Sequence, residues 1–166
     1  MKSKFIILFI ALMTVDVTAR IIDTFRSWDD LKSMSSYIAV IECGNPTPPN
    51  PHFKIANATK SDSAIQTVFI LKGTNNVSPT RLLTDRELCS GKRYLVFGYC
   101  NGEVCCAYED YKVIPLKTYF STDLLAGKTM DEQIRFLLQI RLDNLKREIQ
   151  RNEEEKRRLE EGIRNH

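Results

Sequence analysis

The sequence predicts a mainly β protein: a small antiparallel barrel or sandwich, preceded by a short helix and followed by a long one. Three observations carry this. Between residues 37 and 116, short runs of apolar and β-branched residues are broken by turn signals at intervals of roughly 8–12 residues. Asn101-Gly102, lying between two such runs, is the strongest short hairpin signal because primed turns need positive φ. From Met130 to Ile163 there is no proline, and Thr129 with Glu132 forms a capping-box signature at the start of that stretch. The composition agrees: 166 residues, 43% hydrophobic and 27% charged, which excludes disordered, collagenous and multispan membrane chains.

The first segment reads as a leader. Met1 to Lys4 is basic, Phe5 to Met13 is apolar, and Val17-Thr18-Ala19 places small or permissive residues before Arg20. That order is expected of a secretory signal peptide over residues 1–19. The apolar run, closed by Asp16, falls short of the roughly 20 residues that cross hydrocarbon, so no membrane span is expected after cleavage. The expected location is the periplasm or the extracellular medium. A net charge of +3 is too small to mark a nucleic-acid or anionic-membrane surface, and no nucleic-acid partner is expected.

Residues 20–120 are expected to form the barrel domain. Ser27 caps a short helix with Asp29 and Asp30 in its first turn. Tyr37–Cys43 is a buried strand. Asn45–Pro51 holds four of the six prolines and reads as a connecting loop. His52–Thr59 and Ala64–Leu71 read as strands joined by a polar turn at Lys60–Ser63, and Thr80–Thr84 as a shorter one. Tyr94–Cys100 and Glu103–Tyr108 make the hairpin, in a register pairing Cys100 with Glu103, Gly98 with Cys105 and Phe97 with Cys106. Alternation then sets Cys106 beside Leu95 and Phe97 as a small buried residue, with Cys100 and Cys105 as diagonal neighbours on the other face. Lys112–Leu116 is a last, edge strand, since Pro115 cannot donate to a ladder.

Five cysteines in an exported chain imply disulfides and leave one over. Cys100 and Cys105 can be bridged with modest strain, which leaves Cys43 and Cys89 as candidates for a long-range bond. The sequence leaves the connectivity open. Neither Cys105-Cys106 nor the spacing of Cys100 and Cys105 makes a redox-active motif, so structural cysteines are expected.

The succession SYIAVIEC, VFILKG and LCSGKRYLVFGY resembles the netrin-like OB-fold modules of secreted proteins, a group that includes bacterial relatives and the tissue inhibitors of metalloproteinases. The SWDDL start and the YFSTDLLAGKTMDEQI approach to the long helix are similar to those of an uncharacterised family of exported bacterial proteins. The likeness spans residues 27 to about 161 and implies an OB-like barrel. In the metalloproteinase inhibitors a cysteine at the mature N-terminus reaches the protease zinc. Arg20 holds that place here, so an inhibitor of an extracytoplasmic hydrolase would have to use another edge.

Residues 121–166 are expected to form a C-terminal segment built on a long charged helix from Met130 to Ile163. Ile134, Leu137, Leu138 and Leu142 give its first part the wide apolar face of a helix packed on a domain. A heptad frame with a at 135, 142, 149, 156 and 163 and d at 138, 145, 152 and 159 defines an association seam of Leu138, Leu142, Leu145, Ile149, Asn152, Leu159 and Ile163. Arg135, Asn152 and Lys156 interrupt the apolar positions, although a seam Asn is a known register device in coiled coils. The competing expectation is a solvated helix held by pairs such as Glu153–Arg157 and Glu160–Arg164. The two histidines, His52 and His166, offer one base in a proline-rich loop, and no nucleophile, phosphate-loop or metal motif accompanies it. The function expected is therefore non-catalytic, with no cofactor or metal: exported binding or scaffolding, with the C-terminal helix associating with itself or with a protein partner.

Overall fold

The computed structural model describes residues 27–46, 61–73, 78–116 and 119–164. The expected signal peptide, most of the proline-rich loop and the expected strand His52–Thr59 lie outside the described residues. Helix α1 (Trp28–Met34) begins at Ser27, whose Oγ accepts from the Asp30 N–H at 3.1 Å. Among the described residues six strands follow: β1 (Tyr37–Pro46), β2 (Ser61–Lys72), β3 (Arg81–Thr84), β4 (Arg93–Asn101), β5 (Val104–Ala107) and β6 (Val113–Pro115). Helix α2 (Met130–Arg164) ends the described chain. Its capping box is formed: the Thr129 N–H donates to Glu132 Oε2 at 2.8 Å, and the Glu132 N–H donates to Thr129 Oγ1 at 3.3 Å.

The strands make one mixed sheet in the order β1-β2-β3-β5-β4-β6, and β1 also pairs with β4, so the pairings of the first five run in a ring. The expectation of an antiparallel sheet is corrected at one place: β3 and β5 are parallel, while every other pairing is antiparallel. The reason is parity. Directions that alternate around an odd number of strands cannot all close antiparallel, so one contact must be parallel. "Mainly β" is also too strong, because among the described residues helical structure exceeds strand, 42% against 34%; the long helix, the short first helix and two brief 3-10 turns together outweigh the strands.

The sheet has cores on both of its faces. Tyr37, Ala39, Ile41 and Cys43 of β1 join Val96, Leu82, Cys105, Ala107 and Val113 in one cluster. The alternate residues Ile38 and Val40 join Leu95, Phe97, Leu31, Leu116, Phe120, Leu125, Ile134 and Leu137 in the other. Both faces of β1 and β4 are thus buried, which is why these strands read as continuous apolar runs rather than as alternation. The Trp28 ring lies 6.0 Å from that of Phe97, fixing α1 over the second face. Arg93 ties the segment before α2 to the sheet: it meets Glu42 at 3.1 Å, donates to the Phe120 carbonyl at 3.0 Å, and stacks 4.2 Å above the Tyr119 ring.

The hairpin register differs from the expected one. Cys100 pairs with Cys105, Asn101 with Val104 and Tyr99 with Cys106. The turn is Gly102-Glu103, with Gly102 at φ +59°, so the glycine supplies the positive φ at the first central position. A shift by two residues leaves every side chain on its expected face, but it places Cys100 directly opposite Cys105 instead of diagonally. Burial is also reversed. Cys105 is fully buried and Cys106 only partly so, while Tyr99 is 65% exposed. The helices cover Leu95 and Phe97 on that face, and the strand beyond them meets solvent.

Gly98 of β4 lies close against β5. A Cβ there would stand 2.6 Å from Cys105 Sγ and 3.1 Å from the Cys106 carbonyl oxygen. Gly98→Ala is expected to destabilise the fold by about 1–3 kcal/mol through overpacking, read as a lower urea midpoint at unchanged slope. An unchanged midpoint would show that the Cys105 side chain yields without cost.

Candidate functional site

The long helix presents two faces with different fates. Ile134 and Leu137 enter the second core cluster, and the same face continues through polar anchors. Gln133 Nε2 donates to the Leu125 carbonyl at 2.9 Å, and Asn144 Nδ2 donates to the Leu116 carbonyl at 2.5 Å. Lys32 of α1 donates to Asp131 Oδ1 at 2.6 Å. Hydrogen bonds to Asp131 and then Asp29 hold its ammonium above the ordinary lysine range. At the helix start, bonds from the Thr129 N–H and hydroxyl keep the Glu132 carboxyl below the usual carboxylate range.

The expected association seam lies about a quarter-turn around the helix from this anchored face, as the 100° per residue of an α-helix requires. Leu138 is half-buried. Leu142, Leu145, Ile149, Leu159 and Ile163 are 45%, 37%, 55%, 62% and 78% exposed. Asn152 is exposed as well, and from Ile149 to Arg164 every residue is exposed. Sixteen residues of helix, roughly 24 Å at 1.5 Å per residue, thus stand exposed, and Ile149, Leu159 and Ile163 are their aliphatic members, with Asn152 and Lys156 between them.

At its proximal end the seam opens into a groove of about 460 Å³ between α1 and α2. Trp28, Ile134, Leu138 and Leu142 form its apolar floor, and Asp29, Lys32, Asp131, Arg135 and Gln139 form its rim. Sequence reasoning missed this groove, because it exists only where two helices about a hundred residues apart cross. The lone tryptophan on a short capped helix was the signal available. A second, more polar cleft of about 520 Å³ lies on the anchored side of α2, where Lys92, Arg147 and Arg151 share the walls with Cys89, Tyr94 and Glu148.

All five cysteines are free thiols in the structure. Cys100 and Cys105 face each other across β4 and β5. Their shared hydrogen bond, reinforced by burial, pushes the Cys105 thiol up, and the same bond lowers that of Cys100. Cys43 and Cys89 are neighbours through backbone: the Cys43 N–H donates to the Lys92 carbonyl at 2.9 Å, and the Gly91 N–H donates to the Cys43 carbonyl at 2.7 Å. Burial raises the Cys43 thiol, whereas Cys89 is exposed. Cys106 accepts from the Tyr108 hydroxyl at 3.4 Å. Diamide is expected to bridge Cys100 to Cys105 first, with Cys100 supplying the attacking thiolate and the reagent taking up two electrons and two protons. Peptide mass mapping reads this as one joined peptide pair. A pair that stays unjoined while Cys89 reacts would show that the facing geometry does not permit the bond.

Among the described residues, no helix is long and apolar enough to cross a membrane, and no group of three His, Cys, Asp or Glu side chains is placed to hold a metal ion. Comparison with protein-family models finds no match, and comparison with curated proteins finds none either.

Proposed function

We propose that this chain is an exported, non-catalytic binding or scaffolding protein that assembles through α2, with a second copy or a protein partner covering the helix seam. One observation carries the reading: Leu142, Leu145, Ile149, Leu159 and Ile163 lie exposed on one side of a helix whose other side is already anchored to the domain. On this reading the sheet is an OB-like barrel of the netrin-like kind. The ring β1-β2-β3-β5-β4-β1 supports it, since five strands closing on themselves suit a small Greek-key barrel. The barrel serves as a rigid base from which the helix projects, and its covered second face explains why the proximal helix cannot move independently.

The test is the solution mass of the chain beginning at Arg20, compared with a variant carrying glutamine at 142, 145, 149 and 159. Light scattering should find the first above its monomer mass or bound to an extracytoplasmic protein, and the second monomeric and unbound with its helical circular dichroism retained. Equal masses and equal binding would overturn the reading. Cutting the chain before α2 would be a poor substitute, because Ile134 and Leu137 belong to the core.

A further inference from the structure

The charges flanking the seam go further and select an occupant. We propose that α2 pairs with α2 of a second copy of this chain, antiparallel, in the register that sets Leu142 against Leu159 of the second copy and Leu138 against Ile163 of the second copy. This rests on the reading of the helix as an assembly device.

The residues beside a seam decide orientation. In a parallel pair, Arg141 would face Lys146 of the second copy, Glu148 would face Glu153 of the second copy, and Glu155 would face Glu160 of the second copy. All three are like-charged, and such pairs oppose association. In the antiparallel pair, Lys146 faces Glu153 of the second copy, and two-fold symmetry makes this contact twice. Both residues are exposed and lie on the flank turned away from the domain. The opposite flank sets Glu148 against Glu155 of the second copy, likewise twice. Glu148 lies beside the domain, however, where Arg141 Nη1 is 3.9 Å away and partly offsets that repulsion.

Registers one heptad to either side are less favourable: one sets Lys146 against itself, and the other, although it brings Lys146 to Glu160 of the second copy, sets both Glu153 and Glu155 against themselves. The proposed register matches aliphatic to aliphatic at both ends of the seam and engages its whole length from Leu138 to Ile163, whereas the register that sets Leu145 against Ile163 of the second copy leaves Leu138 and Leu142 uncovered. It brings Ile163 of the second copy to Leu138, at the groove floored by Trp28, Ile134 and Leu142. Lys156 falls opposite Leu145 and Asn152 opposite Ile149, so the polar seam residues sit towards the middle, where long side chains can turn outward.

Sedimentation equilibrium on the chain beginning at Arg20 tests this with Lys146→Glu, Glu153→Lys and the double variant. Each single variant should weaken dimerisation on the order of tenfold, since two attractive contacts become repulsive. The double variant restores both contacts with signs exchanged and should return to within about twofold of the starting affinity. Circular dichroism and thermal unfolding separate weakened pairing from a damaged helix. A dimer that tightens in either single variant would show the parallel arrangement, because Arg141 would then face the introduced carboxylate, or Glu148 the introduced ammonium. That result overturns the inference and leaves the assembly reading standing. A double variant that fails to recover overturns the register. A chain that stays monomeric from micromolar to millimolar concentration overturns self-pairing altogether.

Discussion

Replacing Leu137 by alanine is expected to cost about 2–5 kcal/mol of folding stability and to release the long helix along with the sheet face beneath it. Leu137 is fully buried and shares a cluster with Leu95, Phe97, Leu116, Phe120 and Leu125. Truncation would open a cavity at the point where α2, the segment preceding it and the two doubly buried strands meet, and none of these can collapse without moving another. The informative control is Leu145→Ala on the same helix. Leu145 is 37% exposed, so its loss should leave the unfolding midpoint of the monomer nearly unchanged and act on assembly instead. Chemical denaturation of both variants, beside their solution masses, separates the two faces. Equal destabilisation by the two substitutions would mean that the faces have been wrongly distinguished.

The second large effect is expected at Arg81. Its guanidinium forks onto Asp62, with Nε to Oδ1 at 3.1 Å and Nη2 paired to Oδ2. Asp62 is 8% exposed, and the bond raises the Arg81 pKa further above its already high ordinary value. The pair joins β2 to β3, and β3 is the strand through which β2 connects to β5 in the ring. Arg81→Ala leaves a carboxylate in a largely dry site and should destabilise the fold by on the order of 3 kcal/mol, somewhat less than a fully buried pair because water reaches part of the guanidinium. Removing Asp62 as well should recover part of this loss, since no charge is then stranded. A double-mutant cycle in urea measures the coupling. A single-variant loss no larger than that of an ordinary surface substitution would show that the pair is solvated and contributes little.

Local chemistry made several elements legible in the amino-acid order. The Ser27 cap, the Thr129–Glu132 box, the extent of α2 to within a residue, the edge position of β6 and the hairpin itself all follow from interactions spanning a few residues. The anchored part of α2 was equally readable, because the helical period fixes angular position and Ile134 and Leu137 fall on one apolar face. The hairpin register was not. Asn101-Gly102 and Gly102-Glu103 both place a glycine in a turn, and the local turn chemistry does not distinguish them. The burial of Cys105 in preference to Cys106 belongs to the same class, since both faces of β4 carry apolar residues and alternation cannot tell which face will be covered at that point.

By itself, then, the order of residues determined where both helices and most strands begin and which side chains share a face; β2 is the exception, since Ser61–Ser63, expected in a turn, pair with β3. Tertiary structure decided the rest: the parallel contact of β3 with β5, the meeting of Cys100 with Cys105 and of Cys43 with the Cys89 loop, and the groove between α1 and α2. Each depends on segments far apart in the chain. Their juxtaposition is selected by ring closure and by the joint burial of two sheet faces, and those are sums over many distant contacts rather than properties of any one stretch.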